Sequence, residues 1–161
     1  MRFNLELIKT PESERVRLNL ISRQPHSYGN IIAVVDTGSP KTVISARDAS
    51  LLKISVDKSA KSSPLIGFGR GTIPARQISQ FKFLIKSADN QIKSLEMPTD
   101  IVDIIALNTL GRDHVIQAYQ IPTIIGLDFL RVNKLKLVID FEGDSAYLED
   151  ITPDSLNQAL N

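Results

Sequence analysis

The chain has no cysteine and no tryptophan among its 161 residues, and only two histidines, His26 and His114. Without cysteine there is no disulfide, no thiolate nucleophile and no thiolate-held zinc or iron–sulfur centre, and two isolated histidines are too few for a histidine-rich metal site. No metal or other cofactor is expected. An excess of charge of one sign is missing too: 19 Lys and Arg stand against 18 Asp and Glu, a formal charge of +1. No global field then draws the chain onto phosphates or anionic lipid, and nucleic acid and membranes are not expected partners. No apolar run approaches the ~18 residues of a membrane span. The charged start Met1-Arg2-Phe3-Asn4-Leu5-Glu6 does not read as a secretory leader. The expected location is the cytoplasm.

What is present suits a folded domain. With 42% hydrophobic and 23% charged residues the chain has average globular composition. Its length is that of one domain able to bury roughly 70% of its unfolded surface. Neither internal repeats nor a second composition regime divide it, so residues 1–161 read as one mainly β domain.

Strict alternation at Phe3, Leu5, Leu7 and at Val16, Leu18, Leu20 predicts two half-buried strands. Thr10–Glu14 is the turn between them, and Gln24–Asn30 reads as a second loop. Ile31-Ile32-Ala33-Val34-Val35 is continuously apolar and predicts a strand buried on both faces. Ser45–Leu52 predicts a short helix with Ser45 as its cap and Asp48 reaching back. Residues 53–64 form a solvated connection, and Pro64–Pro74 a hairpin with a glycine-rich tip, followed by a strand at Ile78, Phe81, Phe83 and Ile85. Two strands are predicted at Ile92–Met97 and Ile101–Leu107, with a loop around Asn108–His114. Ile124–Val132 starts as a buried strand and turns helical, with Asn133 as C-cap. Leu135–Ile139 and Ala146–Leu148 make a last hairpin, with Lys134 and Lys136 on its solvent side, and Thr152-Pro153 opens a terminal helix over about 152–160.

Asp36-Thr37-Gly38-Ser39, directly after the apolar run, carries the chemical signal. A carboxyl at the end of a buried strand is desolvated unless donors compensate. Thr37 and Ser39 bring hydroxyls, and Gly38 permits close backbone approach. The same four residues are also ordinary turn formers. Two further segments decide between these readings. Leu65-Ile66-Gly67-Phe68-Gly69-Arg70-Gly71 and Ile124-Ile125-Gly126-Leu127-Asp128-Phe129-Leu130 follow it in that order.

Three such elements in this order resemble the retropepsin-like aspartic proteases, over about residues 31–149. The resemblance implies an acid-protease fold: a closed, barrel-like β domain with a flap hairpin and one or two short helices, one lobe per chain. It implies Asp36 as the catalytic carboxylate, Thr37 as a brace against the facing loop of a partner chain, and Gly38 as backbone contact to substrate. Ser39 would stand where a hydroxyl can bond the carboxylate. Gly67, Phe68, Gly69, Arg70 and Gly71 would form the flap over an extended polypeptide, and Ile125 and Gly126 would support the active-site loop. Two carboxylates about 3 Å apart share one proton and activate water together. With one Asp-Thr-Gly per chain, activity then requires a homodimer with Asp36 from each subunit on the two-fold axis.

The chain departs from the family in places. Retroviral members pair an Arg after the third-element Gly with an acid shortly after the catalytic loop; here Leu127 and Pro40 occupy those places, so that ion pair is absent. The stretch between flap and third element is longer, and the chain closes on a helical tail instead of an interface strand. The alternative function is a non-catalytic retropepsin-like module for dimerisation or peptide binding. Gly67–Gly71 is not a nucleotide loop, because Thr72 stands where a third glycine is needed. His26 and His114 read as solvated loop residues, Asp128 as a group capping or orienting the helix after Gly126, and Asp100 and Asp103 as lacking the context of a second catalytic acid.

Overall fold

The computed structural model describes residues 1–24, 26–54, 64–66, 72–102 and 120–151. Alternating apolar residues build an antiparallel meander of β1 (Arg2–Lys9), β2 (Glu14–Gln24) and β3 (Ser27–Val35). Their inward positions, Phe3, Val16, Leu18, Leu20, Ile31, Ala33 and Val35, are all buried. The Thr10–Ser13 turn is closed by Thr10 N–H to the Ser13 carbonyl at 2.8 Å and by Ser13 N–H to Thr10 Oγ1 at 3.0 Å.

Two expectations for this meander are corrected. The segment Gln24–Asn30 is mostly strand: Gln24 already pairs with Ser27 and Ile21 with Asn30. Its polar residues pair instead of looping out, with the buried Ser22 hydroxyl 2.8 Å from Ser27 Oγ and donating to the Ser27 carbonyl at 2.9 Å. Nor is β3 buried on both faces, since Ile32 is 52% exposed between buried Ile31 and Ala33. The strand obeys the period of two, and only one of its faces meets the core.

After residue 36 the chain forms β4 (Thr42–Ile44) and α1 (Ala46–Leu51). Ser45 caps α1 by accepting Asp48 N–H at 3.1 Å. The reciprocal half of the expected capping box is replaced: Ser45 N–H goes to Thr123 Oγ1 at 3.1 Å, and Asp48 turns to the same Thr123. β5 (Leu65–Ile66) pairs antiparallel with β6 (Thr72–Ile73), giving the stem of the expected hairpin. Its tip, residues 67–71, lies outside the described residues, as does most of the 53–64 connection.

β7 (Ala75–Lys86) pairs with β8 (Ile92–Val102), which is one strand where the sequence suggested a break after Met97. Pro98 causes the misreading. It falls at the register shift between Ile78 and Phe81, where a missing N–H does not interrupt the ladder. Residues 103–119, including the rest of the expected Ile101–Leu107 strand, the Asn108–His114 loop and Asp103, lie outside the described residues. β9 (Ile124–Ile125) leads through Gly126 into α2 (Leu127–Val132), and Asn133 caps it with its N–H 3.1 Å from the Phe129 carbonyl. Lys134 then adopts φ 51° and turns the chain into β10 (Leu135–Asp140), which returns as β11 (Ser145–Asp150). The proposed terminal helix is outside the described residues.

The fold is mainly β. One nine-stranded sheet runs β10-β11-β1-β2-β3-β9-β4-β8-β7, and β7 also bridges β2 at Ile21↔Leu84. Six strands thus curl back on one another, while the sheet as a whole stays open at β10. Phe3, Leu18, Leu20, Ile44, Leu52, Phe83, Leu95, Ile125 and Phe129 fill the space inside the curl. At its centre β3 and β9 run parallel, Val34↔Ile124 and Val35↔Ile125, and β4 pairs with β9 at Val43↔Ile124. The β3–β4 connection therefore lies where β9 passes into α2. No helix of the described residues is long and apolar enough to cross a membrane.

Candidate active site

The β3–β4 connection begins at Asp36 and is bound to β9 from its first atom: Asp36 N–H donates to the Ile125 carbonyl at 2.9 Å. Asp36, Thr37 and Gly38 are exposed. The Asp36 carboxylate folds back on its own turn, its Oδ1 accepting Gly38 N–H at 2.9 Å, and Ser39 N–H donates to the Asp36 carbonyl at 3.2 Å. A Cβ on residue 38 would stand 3.1 Å from Asp36 Oδ1. The turn thus presents an oriented carboxylate at the surface, not the desolvated one that its place after an apolar run suggested.

Ser39 differs from its expected contact. Its hydroxyl donates to the Lys41 carbonyl at 2.7 Å, so its one proton braces the turn instead of the Asp36 carboxylate. The Ser39 carbonyl accepts Leu127 N–H at 2.9 Å and the Pro40 carbonyl accepts Asp128 N–H at 3.3 Å. The first turn of α2 therefore donates into the Asp36 loop.

Gly126 is where these segments touch. A Cβ there would lie 2.4 Å from the Lys41 carbonyl oxygen and 2.8 Å from that of Ser39. Both are backbone atoms with nowhere to move, so the close approach demands glycine. Gly126 N–H donates to Thr42 Oγ1 at 2.9 Å, and the Thr42 hydroxyl donates to Asp128 Oδ1 at 2.6 Å, which also accepts Phe129 N–H at 2.7 Å. Asp128 does orient α2, as expected, and it also locks α2 to β4. This part-buried threonine–aspartate link ties β4 to α2, close to where the absent Arg–acid pair would have stood.

Asp36, Thr37, Gly38, Ser39, Ile125 and Gly126 are thus brought together. Gly67, Phe68, Gly69, Arg70 and Gly71 lie outside the described residues, as does His114. His26 is exposed at the β2–β3 tip. Asp100 sits on β8 opposite Val43 in the register. Sequence reasoning missed Thr42, Thr123 and the Lys41 carbonyl. Thr42 stands at the mouth of β4 and reads as an ordinary strand residue; only its partners 84 and 86 positions away give it a role. Among the described residues no three or more His, Asp or Glu side chains converge as a metal site would require.

No protein-family model and no curated protein matches the chain in sequence. In three dimensions it is similar to the crystal structure of a retropepsin-like aspartic protease from Rickettsia conorii. The TM-score is 0.53 at 14% identity, covering 92% of this chain and 90% of that one. The architecture is the retropepsin-like one.

Proposed function

We propose that the protein is an aspartic endopeptidase, a homodimer in which Asp36 from each subunit forms the catalytic pair. The observation that carries this reading is the exposed Asp36-Thr37-Gly38 turn, oriented by its own backbone and clamped to β9 and α2 inside a retropepsin-like fold. A single carboxylate is a weak catalyst for amide hydrolysis. Two facing each other share a proton, so that one takes a proton from water while the other polarises the scissile carbonyl.

In this reading Thr37 braces the partner's loop and Gly38 offers backbone hydrogen bonds to an extended polypeptide. Ser39, Ile125 and Gly126 form the floor, while Gly67, Phe68, Gly69, Arg70 and Gly71 close over the substrate. Ile125 and Gly126 act through backbone: one carbonyl holds Asp36, and one missing Cβ lets the loop come close.

The test is incubation of wild type and Asp36→Asn with an unfolded protein mixture from about pH 3 to about pH 7, where shared-proton dyads operate, with cleaved bonds identified by mass spectrometry. Cuts made by wild type and abolished in a folded, dimeric Asp36→Asn are expected. No cuts from a dimeric wild type would leave a peptide-binding or dimerisation module instead.

A further inference from the structure

Asp48 is a buried charged side chain, 2% exposed on the first turn of α1. A carboxylate in such a place is costly unless it is hydrogen-bonded, and the α1 cap does not require it, because Ser45 already performs that task. Its partners point elsewhere. Oδ2 accepts the Thr123 hydroxyl at 2.6 Å across 75 residues of sequence, and Oδ1 accepts Arg47 Nε–H at 3.1 Å.

Thr123 is fully buried and stands immediately before β9. With its proton committed to Asp48, Thr123 Oγ1 is free to accept Ser45 N–H, which it does at 3.1 Å. Its carbonyl accepts Val34 N–H at 2.8 Å, and two residues on the Ile125 carbonyl accepts Asp36 N–H at 2.9 Å. One unbroken series of hydrogen bonds and two β9 residues therefore connects the buried carboxylate to the backbone of the exposed one.

We propose that Asp48 is a positioning residue for Asp36, acting through Thr123. It fixes the side chain of Thr123, which sets the start of β9, which holds the Asp36 amide. The consequence for turnover rests on the protease reading above; the hold on β9 does not. Anchoring from α1 adds to the bonds that tie the Asp36 loop to α2, Leu127 N–H to the Ser39 carbonyl and Asp128 N–H to the Pro40 carbonyl.

The test uses Thr123→Val, which keeps the volume and removes the hydroxyl, Thr123→Ser, which restores it, and Asp48→Asn in place of a cavity-forming truncation. Amide hydrogen exchange is read at Val34 and Asp36 against Leu18 and Leu95 as core references. In Thr123→Val, exchange at Val34 and Asp36 is expected to accelerate ~10-fold or more relative to those references, since local opening reports the lost buried bond. Asp48→Asn should move the same two amides, and Thr123→Ser should return both to wild-type rates. Peptide turnover in Thr123→Val is expected to fall ~10-fold with KM within ~2-fold, as misplacement of a reacting group without loss of binding requires. Unchanged exchange at Val34 and Asp36, or acceleration only in step with Leu18 and Leu95, would overturn the proposal. So would unchanged kcat in Thr123→Val where wild type shows Asp36-dependent cleavage. If exchange responds as expected but wild type cleaves nothing, the positioning stands and the protease reading falls.

Discussion

At Gly126 a single hydrogen atom in place of a methyl group decides whether the Asp36 loop can close. The would-be Cβ meets carbonyl oxygens of Lys41 and Ser39 that are themselves hydrogen-bonded, to Ser39 Oγ and Leu127 N–H respectively. Neither can withdraw without breaking its own bond. Gly126→Ala is therefore expected to destabilise the protein by about 1–3 kcal/mol or more through overpacking, seen as a lower urea midpoint at unchanged slope. Cleavage by this variant should fall even under conditions where it is folded, because relief of the clash displaces residues 39–41. A Gly126→Ala variant with wild-type stability would mean that the loop has slack that these distances deny. Thr42 shows the complementary case, since its hydroxyl both donates and accepts at full burial. Valine there would match its shape and satisfy neither partner.

Elements are joined by short polar turns whose side chains do the work of missing backbone partners. Between β7 and β8, Ser87 N–H donates to the Gln91 carbonyl at 2.8 Å and Asn90 takes φ 66°. The Ser87 hydroxyl also bonds Asp89 and holds its carboxyl below the usual carboxylate value. A depressed pKa in the folded state contributes stability above the ordinary value, and that contribution disappears as pH falls through the depressed one. Ser87→Ala should thus be less stable than wild type near neutrality, and the two should converge on the acid side; chemical denaturation across pH reads this directly. Parallel curves at all pH would show that Asp89 is not coupled to folding. Asn133 in turn stitches α2 to β8, its side-chain amide donating to the Glu96 carbonyl at 2.8 Å and accepting Glu96 N–H at 2.9 Å. It presents a strand-like edge to β8 where, among the described residues, no strand pairs with that edge, the register with β4 beginning only at Thr99.

For the whole molecule the decisive quantity is concentration. One Asp-Thr-Gly per chain leaves the proposed chemistry incomplete in a monomer. Specific activity should rise with protein concentration through the dimer dissociation constant and level off above it. Sedimentation across the same range should show the monomer–dimer transition at the concentration where activity rises. Activity strictly proportional to total protein, from a chain that sediments as a monomer, would exclude the two-fold mechanism. The absent Arg–acid pair does not by itself weaken the loop that such a dimer needs, because Thr42, Asp128 and the Ser39 and Pro40 carbonyls already tie it to α2 within one chain.

What the sequence determined by itself was whatever depends on neighbours along the chain. Period-two alternation placed β1, β2, β10 and β11, Ser45 announced the start of α1, and the Asp36 turn stood out because it follows directly on an apolar strand. These are local effects, and local residues carry them. Tertiary structure decided the rest. Burial of β3 on one face or two depends on what lies across it, and Pro98 breaks a strand only if its partner keeps register. The partners of Asp48, Thr42 and Gly126 lie 75 to 86 residues away. No local pattern marks a hydroxyl for a carboxylate that far along the chain, because the pairing exists only once β3, β4 and β9 have been brought side by side.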